Sequence, residues 1–375
     1  MVGLVATAID LGVFLVLVES VPIALADAAA LVAAAVVSYS LNRRLTFRGR
    51  PRARWVRHPG TFALVAVIAG VIDLMVVVVG DSTDAPMAAA KLIAIGGAAA
   101  VRWSAYRWVL FTEVRREMAE RHDRPDASGA VRLSVVVPAF NEGTQIAETI
   151  ATLREELAAL VGSDLEILVV DDGSVDDTAA RARSAGANVV EQPRNMGKGA
   201  AVRAGVLAAS GRSIVFTDAD LAYPAAMIVP ILESLEDGWD VVVGSRRHEE
   251  TTTLVRARRI RELGGRAVNW LTHLVLLGHF RDTQCGIKGF RNDIGKAIFE
   301  RTIINGFAFD VEVFLIAEQD RYSLTEVPVR VENRQGSSVR LVRDSLRLLR
   351  DLLRIRRAAG KGAYRPNASQ RVLAS

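Results

Sequence analysis

Ser213-Ile-Val-Phe-Thr-Asp-Ala-Asp220 is a short apolar run closed by two acids one residue apart. Three runs of the same kind flank it: Leu133-Ser-Val-Val-Val-Pro138, Leu165-Glu-Ile-Leu-Val-Val-Asp-Asp172 and Asp240-Val-Val-Val-Gly-Ser-Arg246. Helical patterns fall between them at 144–161, at 176–185 and from 198, with a shorter run, Asn188-Val-Val-Glu-Gln192, before the last. Fully apolar strands alternating with helices predict a mostly parallel sheet covered on both faces, an α/β domain. Ligands of such sheets sit at the carboxyl ends of the strands. The polar clusters fall there: Pro138-Ala-Phe-Asn-Glu142, Asp171-Asp-Gly-Ser174, Asp218-Ala-Asp220 and Gly244-Ser-Arg246.

Two carboxylates facing a diphosphate would repel it. Asp218 and Asp220 make sense as holders of a hard divalent cation, Mg²⁺ or Mn²⁺, that bridges to the phosphates and steadies the diphosphate as it leaves. Asp171 and Asp172 can accept hydrogen bonds from a nucleobase or ribose. An acidic pair at a strand end can equally cap the following helix, but Asp176 and Asp177 are better placed for that. Asn195-Met-Gly-Lys-Gly-Ala-Ala201 opens a helix whose free amides, with Lys198, could meet a phosphate. It is not a Walker loop, because no Ser or Thr follows the lysine; a surface lysine near a helix start is the plainer alternative.

Upstream the chain changes character. Half of its 375 residues are hydrophobic while 24% are charged, and mean hydropathy is +0.23. This mixture excludes a disordered chain or a disulfide scaffold. Cys285 is the single cysteine, so neither an intrachain disulfide nor a cysteine metal cluster can form, and the five His show no ligand spacing. Net charge is +5, carried almost wholly by Arg, which suits phosphate-rich partners or a membrane surface; no nucleic-acid motif accompanies it.

Apolar stretches at 2–18, 21–41, 61–80 and 85–101 are each near the ~20 residues a membrane-crossing helix needs. Segment 42–60 holds seven Arg and no acid, whereas the other two connections carry only acids, Glu19 and Asp27 and then Asp81 and Asp84. Arginine collects on the cytoplasmic side, so 42–60 and both ends of the four-helix unit are expected inside. Ile9-Asp-Leu11 recurs as Ile72-Asp-Leu74, the mark of two similar hairpins. Asp10, Asp73 and Lys91 fall within or near the spans, where a charge marks a polar path, a helix contact or a helix end. A cleavable signal peptide is disfavoured, because no basic segment precedes the first stretch.

The four-helix pattern, with Asn42-Arg43 closing the second helix and Tyr106-Arg107 the fourth, resembles the GtrA-like membrane family over 1–112, a family associated with polyprenyl-linked sugars. Downstream, VVVPAFNE, DDGSVDDT, NMGKGAAVRAG, DADLAYP, GSR and RDTQCGIKGF occur in the order seen in glycosyltransferase family 2. The set is most similar to dolichyl-phosphate β-glucosyltransferases, then to dolichyl-phosphate mannose synthases. The resemblance implies the GT-A nucleotide-diphospho-sugar transferase fold, a Rossmann-like α/β domain, preceded by a four-helix transmembrane domain. It implies that Pro138, Phe140, Glu142 and Asp172 hold the nucleotide, with Phe140 standing where many relatives have Tyr. Asp218, Ala219 and Asp220 would serve the metal and the sugar-diphosphate, with Ala222 where mannose synthases often carry a Gln. Arg334 and Arg340 are the nearest candidates for a phosphate-binding Arg and Lys pair, and Asp282 for the acceptor side. Cys285 reads as a small buried residue.

The expected organisation is a membrane domain at 1–112, a linker at 113–130, the transferase domain at 131–335, a basic amphipathic helix at 336–358 and a disordered tail at 359–375. The helix has Arg340, Arg343, Arg347, Arg350 and Arg354 on one side and Leu341, Leu346, Leu349, Leu352 and Leu353 on another. It could lie on an anionic membrane or pack on the domain with a solvated basic face. A basic stretch, Arg256 to Arg261, before the apolar 268–277 invites the same choice. The expected activity is inverting transfer of a sugar, glucose from UDP-glucose, to a polyprenyl phosphate at the cytoplasmic face of the cell membrane, with Asp220, Arg246 and Asp282 as the catalytic group. GDP-mannose as donor and a lipid-sugar flippase with an inert cytoplasmic domain are the alternatives. A processive polysaccharide synthase is disfavoured, because no Gln-x-x-Arg-Trp motif follows the core. Association into a homo-oligomer is left open.

Overall fold

The computed structural model of the chain describes residues 2–41, 67–76, 79, 93–97, 118–246, 251, 282, 285–331, 341–367, 370 and 373. The chain divides into two compact units, Met1–Glu113 and Val114–Ser375.

In the first unit, α1 (Val2–Leu17) and α2 (Ile23–Leu41) are joined by a tight turn in which Ser20 and Val21 both donate to Leu17 O. Residues 67–76 and 93–97 are also helical. Phe14, Ala26, Ala30 and Ala94 form a buried cluster, and small residues of this kind let helix backbones approach. Asp10, Asp27 and Asp73 are all buried. Asp27, expected in a connection, lies inside α2. Among the described residues no helix is long and apolar enough to cross a membrane. Lys91 and the basic segment 42–60 lie outside the described residues.

Among the described residues the second unit is built on seven strands: β1 (Val131–Ala139), β2 (Leu165–Asp171), β3 (Asn188–Glu191), β4 (Gly211–Phe216), β5 (Val241–Ser245), β6 (Lys288–Arg291) and β7 (Leu324–Pro328). Their order is β3-β2-β1-β4-β6-β5-β7. All neighbours are parallel except β6, which runs against both β4 and β5. Along β1, Leu133, Val135 and Val137 face one buried cluster and Val136 faces the other, so both faces of the sheet are covered as the unbroken apolar runs require.

One layer contains α3 (Ile146–Val161), whose Ile146, Ile150, Leu153, Leu157 and Val161 recur at helical spacing and are buried, and α6 (Ile228–Glu236). A short α4 (Thr178–Ser184) follows β2. The other layer contains α5 (Lys198–Ala208), α7 (Asn292–Phe299), α8 (Phe309–Asp320) and α9 (Leu341–Gly360). Nearly every residue of α8 is buried, so it is a central helix without a solvent face.

Helix α9 packs on the domain: Leu348, Leu352 and Ile355 join the main core. The tail expected to be disordered, 359–375, begins inside this helix and continues as ordered chain through Asn367. Within it Tyr364 is fully buried, and its hydroxyl donates to Glu312 Oε1 at 2.7 Å while its carbonyl accepts from Arg301 at 3.0 Å. A lone aromatic in a polar, glycine-bearing tail carries no periodic signal, which is why composition alone misses it.

Candidate active site

Register places the site. Ala139 of β1 pairs with Asp171 of β2, and Val136 pairs with Phe216 of β4, so all three strands end at one edge. There Pro138, Phe140, Glu142, Asp172, Lys198, Asp218, Ala219 and Asp220 line one cavity of about 910 Å³. Eight of the residues singled out from sequence are therefore brought together.

The β4 chain turns as it leaves the sheet: Leu221 N donates to Asp218 O at 3.1 Å, and Leu221 has φ of 45°. Without that turn, side chains two apart on an extended strand would share a face set by the pleat alone. Asp220 Oδ1 accepts from Ala222 N at 3.0 Å, and the Asp218 carboxylate is paired with the Lys198 ammonium. Burial pushes the Lys198 pKa down, but Asp218 outweighs it and the net direction is upward. Glu142 is shifted upward too: burial dominates, the Gln145 hydrogen bond opposes it, and Asp220, Asp176 and Asp218 add repulsion.

The two strand-end acids at 171–172 do different work. Asp172 accepts from Met196 N at 2.7 Å and Gly197 N at 2.9 Å, and its pKa is raised because burial outweighs those amides. It thereby fixes the loop leading to α5, where Gly197 takes a φ of 102°. Asp171 accepts from Ser174 N at 3.0 Å, steadies the turn and does not line the cavity. Asp176 accepts from the Thr178 amide at 3.1 Å just before α4, while Asp177, at the N-cap position, makes no side-chain cap hydrogen bond.

One expectation is overturned. The first amides of α5 do not meet a phosphate: Gly199 N and Ala200 N donate to Asn305 O at 2.8 and 3.3 Å. A second strand of chain, 302–308, closes over that helix end, held also by Arg203 to Asn305 Oδ1 at 2.7 Å and to Thr302 O at 3.0 Å. Lys198 is correspondingly directed at Asp218.

Arg246 and Asp282 are joined to each other, Nε to Oδ2 at 2.6 Å and Nη2 to Oδ1 at 2.9 Å, and neither lines the cavity. Burial raises the Asp282 pKa, but the guanidinium beside it wins and the net direction is downward. Arg334 and Arg340 lie outside the described residues, as does segment 252–281.

Four features escape sequence reading. The wall formed by Ile303, Asn305, Gly306 and Phe307 belongs to no motif, and Arg347, Arg350 and Arg354 of α9 line the cavity as well. Lys288, fully buried, donates to Asp310 at 2.7 Å and to Cys285 O at 2.6 Å beneath Phe216. Gly286 lies against Asp218, because antiparallel β6 pairs Lys288 with Phe216 and carries the preceding chain back beside the acids. A Cβ there would stand 2.4 Å from Asp218 Oδ2. Gly286→Ala is therefore expected to displace the carboxylate and cut turnover by ~10-fold or more, with thermal stability little changed, as steady-state rates and a melting curve would show.

Among the described residues no cluster of three or more His, Cys, Asp or Glu could hold a metal ion. Asp218 and Asp220 fit a hard cation of the Mg²⁺ type, which takes one or two carboxylates and keeps waters and substrate phosphates for the rest. The repulsion felt at Glu142 from both acids marks a locus of negative charge that such an ion would relieve.

Residues 134–304 match the family model described as Glycosyl transferase family 2, and residues 1–111 match GtrA/DPMS, transmembrane domain. The chain belongs to glycosyltransferase family 2. Within it, the chain is 34% identical to the dolichyl-phosphate β-glucosyltransferase of Drosophila melanogaster over 229 residues, 56% of this chain and 70% of that one. It is 29% identical to the Saccharomyces cerevisiae dolichyl-phosphate β-glucosyltransferase over 277 residues, 68% and 83% of the two chains. Among solved structures, the glucosyl-3-phosphoglycerate synthase of Mycobacterium tuberculosis, in complex with Mn²⁺, UDP and glucosyl-3-phosphoglycerate, aligns with a TM-score of 0.46 at 23% identity, over 65% of this chain and 82% of that one.

Proposed function

We propose that this membrane-associated chain transfers glucose from UDP-glucose to a polyprenyl phosphate with inversion. The observation that carries this is the opening of Asp218 and Asp220, at the end of β4, onto the same cavity as the half-exposed Phe140 ring and Asp172. Phe140 and Pro138 offer a face for the base, and Asp172 shapes the loop beside it.

The nucleophile is a phosphate oxygen. The second phosphate pKa is ~6, so the acceptor is largely ionised at neutral pH and needs no strong base. Asp310, the carboxylate buried on α8, is held by Lys288, which suits a structural rather than a proton-accepting task. What the protein supplies is alignment and electrostatics. Asp218 and Asp220 would hold Mg²⁺ or Mn²⁺, whose chemistry is to offset charge on the departing diphosphate. Lys198, already directed at Asp218, adds a fixed positive charge at that end. Arg246, steadied by Asp282, stands outside the cavity wall and would act at longer range on the acceptor side.

The direct test is transfer by the full chain in detergent, from radiolabelled UDP-glucose and GDP-mannose to polyprenyl phosphate. Label entering lipid from UDP-glucose is expected; transfer from GDP-mannose alone would move the specificity to mannose, and no transfer would leave a carrier without catalysis.

The seven Arg of 42–60 and the acids at 81 and 84 support a cytoplasmic catalytic unit. In intact cells Thr83→Cys is expected to react with an impermeant thiol reagent and Ala53→Cys is not. Reversed labelling would put the nucleotide-sugar site on the wrong side for its donor.

A further inference from the structure

The cavity has walls of opposite charge. Glu142, Asp172, Asp218 and Asp220 lie on the side of the strand ends, while α9 contributes Arg347, Arg350 and Arg354 against one acid, Asp351, and so keeps a net positive charge. Their spacing of three and four residues puts the three guanidiniums on one helix face. The rotation of that face is fixed, because Leu348, Leu352 and Ile355 are buried in the domain core. Arg350 and Arg354 have side chains 70% and 53% exposed, and each stands 3.8 and 3.6 Å from Asp351, beyond hydrogen-bonding length. Beyond the three arginines the described lining holds Lys198, which is engaged with Asp218.

A phosphate monoester carries a charge of about −1.5 to −2 near neutral pH. To reach a sugar held near four carboxylates it needs local cations, and arginine's planar fork matches phosphate oxygens in pairs. Resting on the acceptor chemistry proposed above, we propose that Arg347, Arg350 and Arg354 of α9 bind the phosphate of the lipid acceptor. The donor diphosphate is the weaker claimant, because Asp218 and Asp220 at the other wall would hold a cation for it. An anionic membrane is weaker still. A surface-lying helix buries its apolar face in lipid, and here Leu348, Leu352 and Ile355 are already inside the protein.

The test compares the full chain in nanodiscs with its Arg350→Gln/Arg354→Gln and Arg350→Lys/Arg354→Lys variants. A short-chain polyprenyl phosphate is titrated by calorimetry and used as acceptor in kinetics. In the Gln variant the acceptor Kd and KM are expected to rise ~10-fold or more, with KM for UDP-glucose within about twofold of wild type. Inorganic phosphate, expected to compete with the acceptor in wild type, should lose that effect, and the Lys variant should recover part of the affinity. Both side chains are largely exposed, so the fold is expected to survive. Unchanged acceptor binding overturns the assignment; a rise confined to UDP-glucose gives the arginines to the donor. A defect seen on anionic nanodiscs and absent on neutral ones gives them to the membrane. Calorimetry without turnover separates the two questions: acceptor binding that weakens in the Gln variant upholds the arginine site even if wild type transfers no sugar.

Discussion

Asp220→Asn is expected to lower sugar transfer at least ~100-fold, about 2.7 kcal/mol of lost transition-state stabilisation, in a protein that still folds. The substitution keeps size and shape. Asp220 Oδ1 accepts a single backbone hydrogen bond, from Ala222, which an asparagine oxygen accepts equally well. The turn at Leu221 should therefore persist, and the cost to stability should stay below ~1 kcal/mol. What disappears is one of the two charges able to hold a cation against the diphosphate. A second readout is local: with that charge gone, Glu142 loses one of the repulsions that raise its pKa, which should move back toward the ordinary carboxylate range. Wild type is expected to lose activity in excess chelator and regain it with Mg²⁺ or Mn²⁺. Near-wild-type turnover in the variant would end the metal assignment. A dead variant beside a chelator-resistant wild type would leave Asp220 essential without a cation.

Glu312→Ala is expected to be the most damaging single change to the catalytic unit. Its carboxylate is fully buried and accepts from Ile303 N at 2.8 Å, Ile304 N at 2.9 Å and the Tyr364 hydroxyl at 2.7 Å. Burial raises its pKa, and those three donors pull the other way without cancelling the shift. Alanine leaves the Ile304 amide and the Tyr364 hydroxyl buried and unanswered, each at ~1–3 kcal/mol, and the part-buried Ile303 amide unpaired, so a loss of ~3 kcal/mol is expected. For a unit of this size that lowers the melting temperature by ~6–12 °C. Tyr364→Phe removes one of the three bonds and should cost only ~1 kcal/mol. The cavity wall at 303–308 hangs from the same carboxylate, so turnover at a temperature where the variant is still folded should fall as well. A melting temperature within about 2 °C of wild type would show that the wall is held by other contacts.

Much of this architecture is readable before any coordinates are known. Strands such as Val135-Val-Val137 and Ile214-Val-Phe216 are apolar on both faces, and only a sheet covered twice accommodates that. The strand-end rule then gathers Pro138, Phe140, Glu142, Asp172 and Asp218–Asp220 without reference to distance. The limits are equally physical. The reversed direction of β6 leaves no trace in four residues, Lys-Gly-Phe-Arg, so the approach of Gly286 to Asp218 could not be foreseen. Helix periodicity identified the arginine and leucine sides of α9, but amphipathicity does not say whether the leucines meet lipid or protein. The amides at the start of α5 looked available because a helix N-terminus always does locally; what occupies them, Asn305 O, lies more than a hundred residues away. Long-range capture of a local donor is invisible to any window of sequence.

Cys285 has a use beyond its place in the core. It is the chain's single thiol, fully buried, and burial pushes its pKa to about 11. At neutral pH roughly one such group in ten thousand is thiolate, the form that alkylating agents and peroxides attack. In the folded enzyme Cys285 should therefore be indifferent to peroxides and maleimides. Reaction at Cys285 requires the sheet around β6 to open, and when reclosing outpaces the reagent its rate follows the fraction of molecules open at any instant. The sulfur thus serves as a built-in clock of domain breathing, readable by mass without any engineered probe.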